Sequence, residues 1–156
     1  MKKLTVIGRG TAGSLGVAHF NQWTKWEIDW IYDPSIPARS VGEGANLVLP
    51  HTLLSNLNFQ HYDLEKINGT FKYGIRKINW GKEKNDFIHT FPPPAVSYHF
   101  NANKLQDYYL NNLKKSSKVN IIEKNIKDIS EIDSDYILQC DGVSYNKEDF
   151  FQFKSI

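Results

Sequence analysis

The chain has 156 residues, 40% hydrophobic and 23% charged, which describes an ordinary soluble globular protein of about one domain. Its 19 Lys and Arg are scattered among 17 Asp and Glu for a net charge of +2, so the charge balance gives no footing for a nucleic-acid or anionic-membrane partner. Cys140 stands alone, which excludes an internal disulfide and any Cys-based metal cluster and fits a reducing compartment.

Lys2-Lys3 ahead of Leu4-Thr5-Val6-Ile7 imitates the start of a signal peptide. The apolar run breaks at Gly8-Arg9, too short for a signal or a membrane span, so a cytoplasmic protein is expected. Lys3 to Ile7 reads as a buried parallel strand. An amphipathic helix follows to about Thr24, with Ala12, Leu15, Ala18, Phe20 and Trp23 as its apolar positions. Glu27 to Tyr32, E-I-D-W-I-Y, reads as a second strand, and together these segments make a βαβ unit.

Asp33 to Asn46 is a loop punctuated by Pro and Gly. Leu47 to Leu57 reads as a helix with Pro50 in its first turn, and His61 to Ile67 as a further helical turn or two. After the turn signal Asn68-Gly69, Thr70 to Trp80 reads as one long strand. Asp86 to Phe91 is a strand ended by three prolines, and Ala95 to Phe100 is extended. Asn103 to about Lys115 is an amphipathic helix using Leu105, Tyr109, Leu110 and Leu113. From Val119 to Phe151, short alternating runs such as Y-I-L-Q and G-V-S-Y suggest strands and a β-hairpin. The expected organisation is a dinucleotide unit with a strap loop over 1–46, helices and strands over 47–100, and a helix plus hairpin over 101–156.

Gly8-Arg9-Gly10-Thr11-Ala12-Gly13 follows a strand and opens a helix, the context in which a G-x-G-x-x-G pattern has a mechanism. Gly8 permits a tight turn, Gly10 lets the backbone approach a pyrophosphate, and Gly13 lets the helix pack closely on the strand. The phosphates then meet the N–H groups and positive dipole end of the helix. Gly8, Gly10, Thr11, Ala12 and Gly13 are therefore the candidate cofactor-binding residues of the turn. Asp33 lies 20 residues after Gly13, where an acid ending the second strand accepts hydrogen bonds from a ribose hydroxyl. The plainer reading is a ligand-free strand-to-helix turn, with Asp33 an Asx-turn residue before Pro34. The residues do not separate FAD from NAD, although the second βαβαβ half of a two-halved NAD domain is absent.

Several motifs taken in order resemble the flavin-dependent halogenases of the tryptophan halogenase family. The glycine turn is similar to that family's G-G-G-T-A-G, with Arg9 replacing a glycine. Ser40-Val41-Gly42-Glu43-Gly44-Ala45-Asn46 resembles its G-V-G-E-A-T strap loop. Thr70-Phe71-Lys72-Tyr73-Gly74-Ile75 resembles its lysine-bearing strand, and Ile78-Asn79-Trp80 its F-x-N-W continuation. Phe87-Ile88-His89-Thr90-Phe91 is similar to F-Y-H-S-F, and Tyr98-His99-Phe100-Asn101-Ala102 to W-H-F-D-A.

The resemblance implies an α/β, Rossmann-like FAD-binding fold of the flavin monooxygenase type, with an inserted β-rich segment and truncated. It implies chemistry in which reduced FAD, supplied by a separate flavin reductase, reacts with O2 and a halide to give hypohalous acid. Lys72 would activate that species beside a small, electron-rich aromatic or indole substrate cradled by His89 and Phe91. It places Asp33, Ile36, Val41 and Gly44 at flavin-contact positions, and Ile126 where the backbone touches the adenine. No metal is implied. Read without the resemblance, Lys72 is a strand lysine that either points at water or is partly desolvated among Phe71, Tyr73 and Trp80. On the same terms His89 is a partly buried strand residue and Phe91 is core.

Departures from the family pattern shape what to expect of activity. The W-x-W-x-I-P signature and the glutamate paired with the lysine do not occur, Asn101 and Asn103 replace Asp and His, and the stretch between Phe91 and Tyr98 is short. Lys147 to Phe151 leads into Gln152-Phe153-Lys154-Ser155-Ile156 rather than a D-x-[ST]-G turn. The expectation is therefore an N-terminal part that is residually active, inactive alone, or completed by a second chain supplying the C-terminal half. The alternative is a dinucleotide-binding module or remnant without catalysis.

Overall fold

The computed structural model describes residues 1–36 and 44–142. In chain order the strands and helices are β1 (Lys3–Ile7), α1 (Thr11–Trp23), β2 (Glu27–Tyr32), α2 (Leu49–Leu57), β3 (Thr70–Lys72), β4 (Gly74–Trp80), β5 (Asn85–Thr90), β6 (Ser97–His99), α3 (Ala102–Leu113), β7 (Val119–Glu123) and β8 (Tyr136–Gln139). Short 3-10 helices occupy His61–Ile67 and Ile129–Glu131. The chain divides into two units, Met1–Ala38 with Leu113–Ile156, and Arg39–Asn112. No helix among the described residues is long and apolar enough to cross a membrane.

The first unit is built on a four-stranded sheet in the order β7-β2-β1-β8, every neighbouring pair parallel. Parallel strands covered on both faces carry near-continuous apolar runs. Accordingly Leu4, Val6 and Ile7 of β1 and Ile28, Trp30, Ile31 and Tyr32 of β2 are all buried. Lys118 ties α1 to this sheet by donating from Nζ to the carbonyl oxygens of Asn21 and Thr24 at the helix C-terminus.

The buried face of α1 differs from the sequence expectation: it is Gly13, Ser14, Val17 and Ala18, and of the expected apolar set only Ala18 is buried. Small residues win that face because the helix approaches the strands closely: a Cβ on Gly13 would lie 2.1 Å from the Gly8 carbonyl oxygen. The Y-I-L-Q run, in turn, pairs in parallel with β1. Its expected hairpin partner falls largely beyond Gly142, outside the described residues.

The second unit packs α2, the His61–Ile67 helix and α3 around Leu53, Phe59, Leu64, Ile67, Tyr98, Leu105 and Tyr109, all buried. Aromatic contacts knit it further: Tyr98 meets Phe59, His61 and Phe71 with ring centroids 6.0–6.3 Å apart. Its strands form two antiparallel ribbons, β3 with β6 and β4 with β5.

The single strand expected over Thr70 to Trp80 is thus two strands that change partner at Tyr73. Lys72 pairs with Ser97, whereas Gly74 pairs with Thr90 in the other ribbon. A Cβ on Gly74 would sit 2.6 Å from the His89 carbonyl oxygen, so the glycine lets the chains close up where the exchange occurs. Further along β4, Asn79 takes a left-handed conformation (φ 52°) and the register shifts. Its amide donates to Asp86 Oδ1 at 2.9 Å.

Candidate functional site

The glycine turn sits at the carboxyl end of β1, in the first unit. Gly8 has φ +106°, and a Cβ there would lie 2.7 Å from the Cys140 carbonyl oxygen, so no other residue fits without strain. The turn is tied to both flanking strands: the Gly8 amide donates to the Ile31 carbonyl and the Cys140 amide to the Ile7 carbonyl, each at 2.8 Å. Trp30, fully buried in β2, donates from Nε1 to the Gly8 carbonyl at 2.9 Å. The Ser14 hydroxyl donates back to the Arg9 carbonyl at 3.1 Å.

What remains open is the side that an anion needs. Gly10 is the N-cap of α1 in an extended conformation, and no side chain caps the helix. The first turn holds no acidic residue, and Thr11 and Ala12 are exposed. A Cβ built on Gly10 would meet nothing within 4 Å among the described residues. Uncapped amides and the positive end of a 13-residue helix beside a side-chain-free approach suit a diphosphate.

Asp33 follows β2 directly. Its Oδ1 accepts from the Ser35 hydroxyl and amide at 2.6 and 2.8 Å, and its Oδ2 from Asn125 Nδ2 at 2.7 Å. The Ser35 hydroxyl and amide, helped by Asn125, hold this carboxyl below the usual range, so it is a ready acceptor. The Asx turn is therefore real, and it leaves the acid at the strand end rather than removing it. Ile36 is exposed, its amide donating to the Asp33 carbonyl at 3.2 Å. Ile126 is buried just past the end of β7. Val41 lies outside the described residues.

Beside the turn, the Arg9 guanidinium carbon lies 4.9 Å from the centroid of the Tyr32 ring. The Tyr32 hydroxyl donates to Glu123 Oε1 at 2.9 Å. Burial first, then the neighbouring Glu123 carboxylate, pushes the Tyr32 hydroxyl above its ordinary range, so it stays a neutral donor. Neither Trp30 nor Tyr32 was identifiable from spacing, because the aromatic run E-I-D-W-I-Y signals a strand and says nothing of what the indole or phenol reaches.

The second unit holds Lys72, half-buried at the end of β3. Its Nζ donates to the Ala45 carbonyl at 3.0 Å and lies 5.8 Å from the centroid of the Phe91 ring. The segment that supplies this acceptor is pinned along β6. Gly44 bridges to His99, the Ala45 amide donates to the Tyr98 carbonyl at 2.9 Å, and the Ser97 hydroxyl donates to the Asn46 carbonyl at 2.6 Å. A Cβ on Gly44 would stand 3.3 Å from His99 Nδ1 and 3.6 Å from Lys72 Nζ, so the glycine leaves the lysine and the imidazole room on one face.

Of the residues grouped from sequence, Lys72, Phe91 and Gly44 come together here. His89 is exposed on β5, opposite Ile75. The aromatic wrapping expected around Lys72 does not form: Tyr73 and Trp80 are exposed, and Trp80 lies under Lys77 at 4.4 Å instead. Strand alternation sends Phe71 and Tyr73 to the face opposite Lys72.

A profile of the Tryptophan halogenase family matches residues 3–131. The chain belongs to this family. Solved structures agree on the fold. A tryptophan 6-halogenase from Streptomyces toxytricini superimposes with a TM-score of 0.76 at 15% identity, over 90% of this chain and 42% of its own. A tryptophan halogenase from Shewanella frigidimarina gives 0.70 at 17%, over 86% and 38%. A flavin-dependent halogenase from Brevundimonas sp. gives 0.70 at 16%, over 90% and 42%. This halogenase-family chain thus has the α/β fold with a parallel central sheet, and it spans less than half the length of these relatives. No curated protein matches it by sequence.

Proposed function

We propose that this chain is the FAD-binding, lysine-bearing part of a flavin-dependent halogenase. In this reading the amides of the Gly8–Gly13 turn receive the FAD diphosphate. Asp33 accepts from a ribose hydroxyl, Ile36, Val41 and Gly44 lie at flavin contacts, and the backbone at Ile126 flanks the adenine. Bound reduced FAD supplies, with O2, the oxidising equivalents that turn a halide into hypohalous acid. A flavin reductase would deliver the reduced cofactor, in the cytoplasm.

Lys72 is the residue we assign to activation. Its ammonium already donates to the Ala45 carbonyl, which aims Nζ beside the Phe91 ring; a hypohalous acid at that point would take up a remaining N–H. Phe91 then offers an apolar wall to an electron-rich aromatic substrate, and His89 a second, polar contact. A C-terminal half, in the same or a second chain, would complete the substrate site.

The observation that supports the reading most directly is the turn itself. It is clamped by Ile31 and Trp30 of β2 on one side and by Cys140 on the other, yet among the described residues it is open at Gly10 and uncapped at the helix start. The test is FAD titration of the purified chain followed by flavin fluorescence, then incubation with reduced FAD, O2, halide and an indole. Bound flavin and a halogenated product that disappears in Lys72→Ala support the proposal. A chain that leaves FAD entirely free refutes it.

A further inference from the structure

We propose that Arg9 is a phosphate-binding residue, a cation this chain adds to the dinucleotide turn. The inference rests on the FAD-binding reading above and extends it to a residue that reading leaves without a role. The resembling family turn carries glycine at this position, so nothing in the shared motif supplies the charge.

Three observations carry it. First, Arg9 lies between Gly8 and Gly10, and its carbonyl is held by the Ser14 hydroxyl, so its backbone cannot drift from the turn. Second, its side chain is stationed rather than free. The guanidinium lies over Tyr32, the last residue of β2, and that buried ring is fixed by its hydroxyl bond to Glu123, the last residue of β7. The guanidinium also hydrogen-bonds the Tyr32 hydroxyl, and its planar fork has further N–H donors at its edges to offer an anion, a geometry a lysine ammonium lacks.

Third, no direct ion pair engages the charge. Among the described residues no carboxylate comes within ion-pair distance of Arg9. The first turn of α1 holds no acid, Glu123 accepts from Tyr32, and Asp33 accepts from Ser35 and Asn125. A half-buried cation without an ion-pair partner among the described residues, adjoining uncapped helix amides, makes a positive field that favours a doubly charged diphosphate.

The test is FAD affinity of the full chain at low and high salt, for wild type, Arg9→Gln and Arg9→Lys, with unliganded melting temperatures as the folding control. We expect Arg9→Gln to bind FAD about tenfold more weakly. Its affinity should also fall less steeply with salt, because one screened contact is gone. Arg9→Lys should keep the wild-type salt dependence while losing part of the affinity, and it carries the test if Arg9→Gln does not fold. Wild-type affinity with unchanged salt dependence in Arg9→Gln, or in a folded Arg9→Lys a salt dependence lost along with the stacking geometry, overturns the role of Arg9 and leaves the cofactor reading standing. A wild-type chain that binds no FAD overturns both.

Discussion

The indole of Trp30 donates to the carbonyl of Gly8 at 2.9 Å, so the second strand holds the turn at the end of the first. Both residues are buried, and no water replaces the bond if it is lost. Trp30→Phe keeps most of the ring volume but leaves the Gly8 carbonyl without its indole donor. A loss of about 1–3 kcal/mol in urea unfolding is expected, together with weaker FAD binding.

Gly13 and Gly10 separate the structural task of the turn from its binding task. A methyl at Gly13 would collide with the Gly8 carbonyl at 2.1 Å, so Gly13→Ala must displace α1 and lower the melting temperature sharply. At Gly10 a methyl meets nothing within 4 Å among the described residues and φ is −64°, so Gly10→Ala should cost the free chain no more than about 1 kcal/mol. It should nevertheless block FAD. Equal melting losses in the two variants would contradict this division.

Lys72→Met should abolish halogenation in a competent assembly while leaving FAD affinity within about twofold of wild type. The lysine's hydrogen bond goes to the Ala45 carbonyl and not to the glycine turn that would receive the diphosphate. Mass spectrometry of the indole product and a parallel FAD titration give the two readouts.

Asp63 makes the stability of the second unit depend on acid. Burial pushes its carboxyl up, but the Lys66 ammonium at 2.6 Å and the Gln60 amide at 2.9 Å outweigh that and hold it below the usual 3.8. The folded chain therefore binds fewer protons than the unfolded one at this site. Its contribution is complete above the unfolded pKa and is lost as pH falls through the depressed folded value. Asp63→Asn should be destabilised by about 2 kcal/mol near neutrality. Its urea midpoint should also drop less between pH 5 and pH 3 than that of wild type.

Much of the architecture follows from the order of residues alone. Apolar runs at β1 and β2, helical spacing in α3, the Asn68-Gly69 turn and the glycine pattern after β1 each depend on neighbours within a few positions. Local periodicity and backbone sterics determine such features. The change of partner at Tyr73 could not be read that way, because Thr70 to Ile75 alternates without a break across it. The strand partners themselves decide it, Ser97 for Lys72 and Thr90 for Gly74, and both lie well beyond the local window.

The candidate sites divide along the same line. The sequence by itself determined that a glycine turn, an acid at Asp33 and a strand lysine exist. The tertiary structure decided that Trp30 and Cys140 clamp the turn, that Arg9 lies on Tyr32, and that Ala45 rather than a set of aromatic rings receives Lys72. Each of those contacts joins residues 22 or more positions apart. Their partners are selected by packing geometry, which no local pattern encodes.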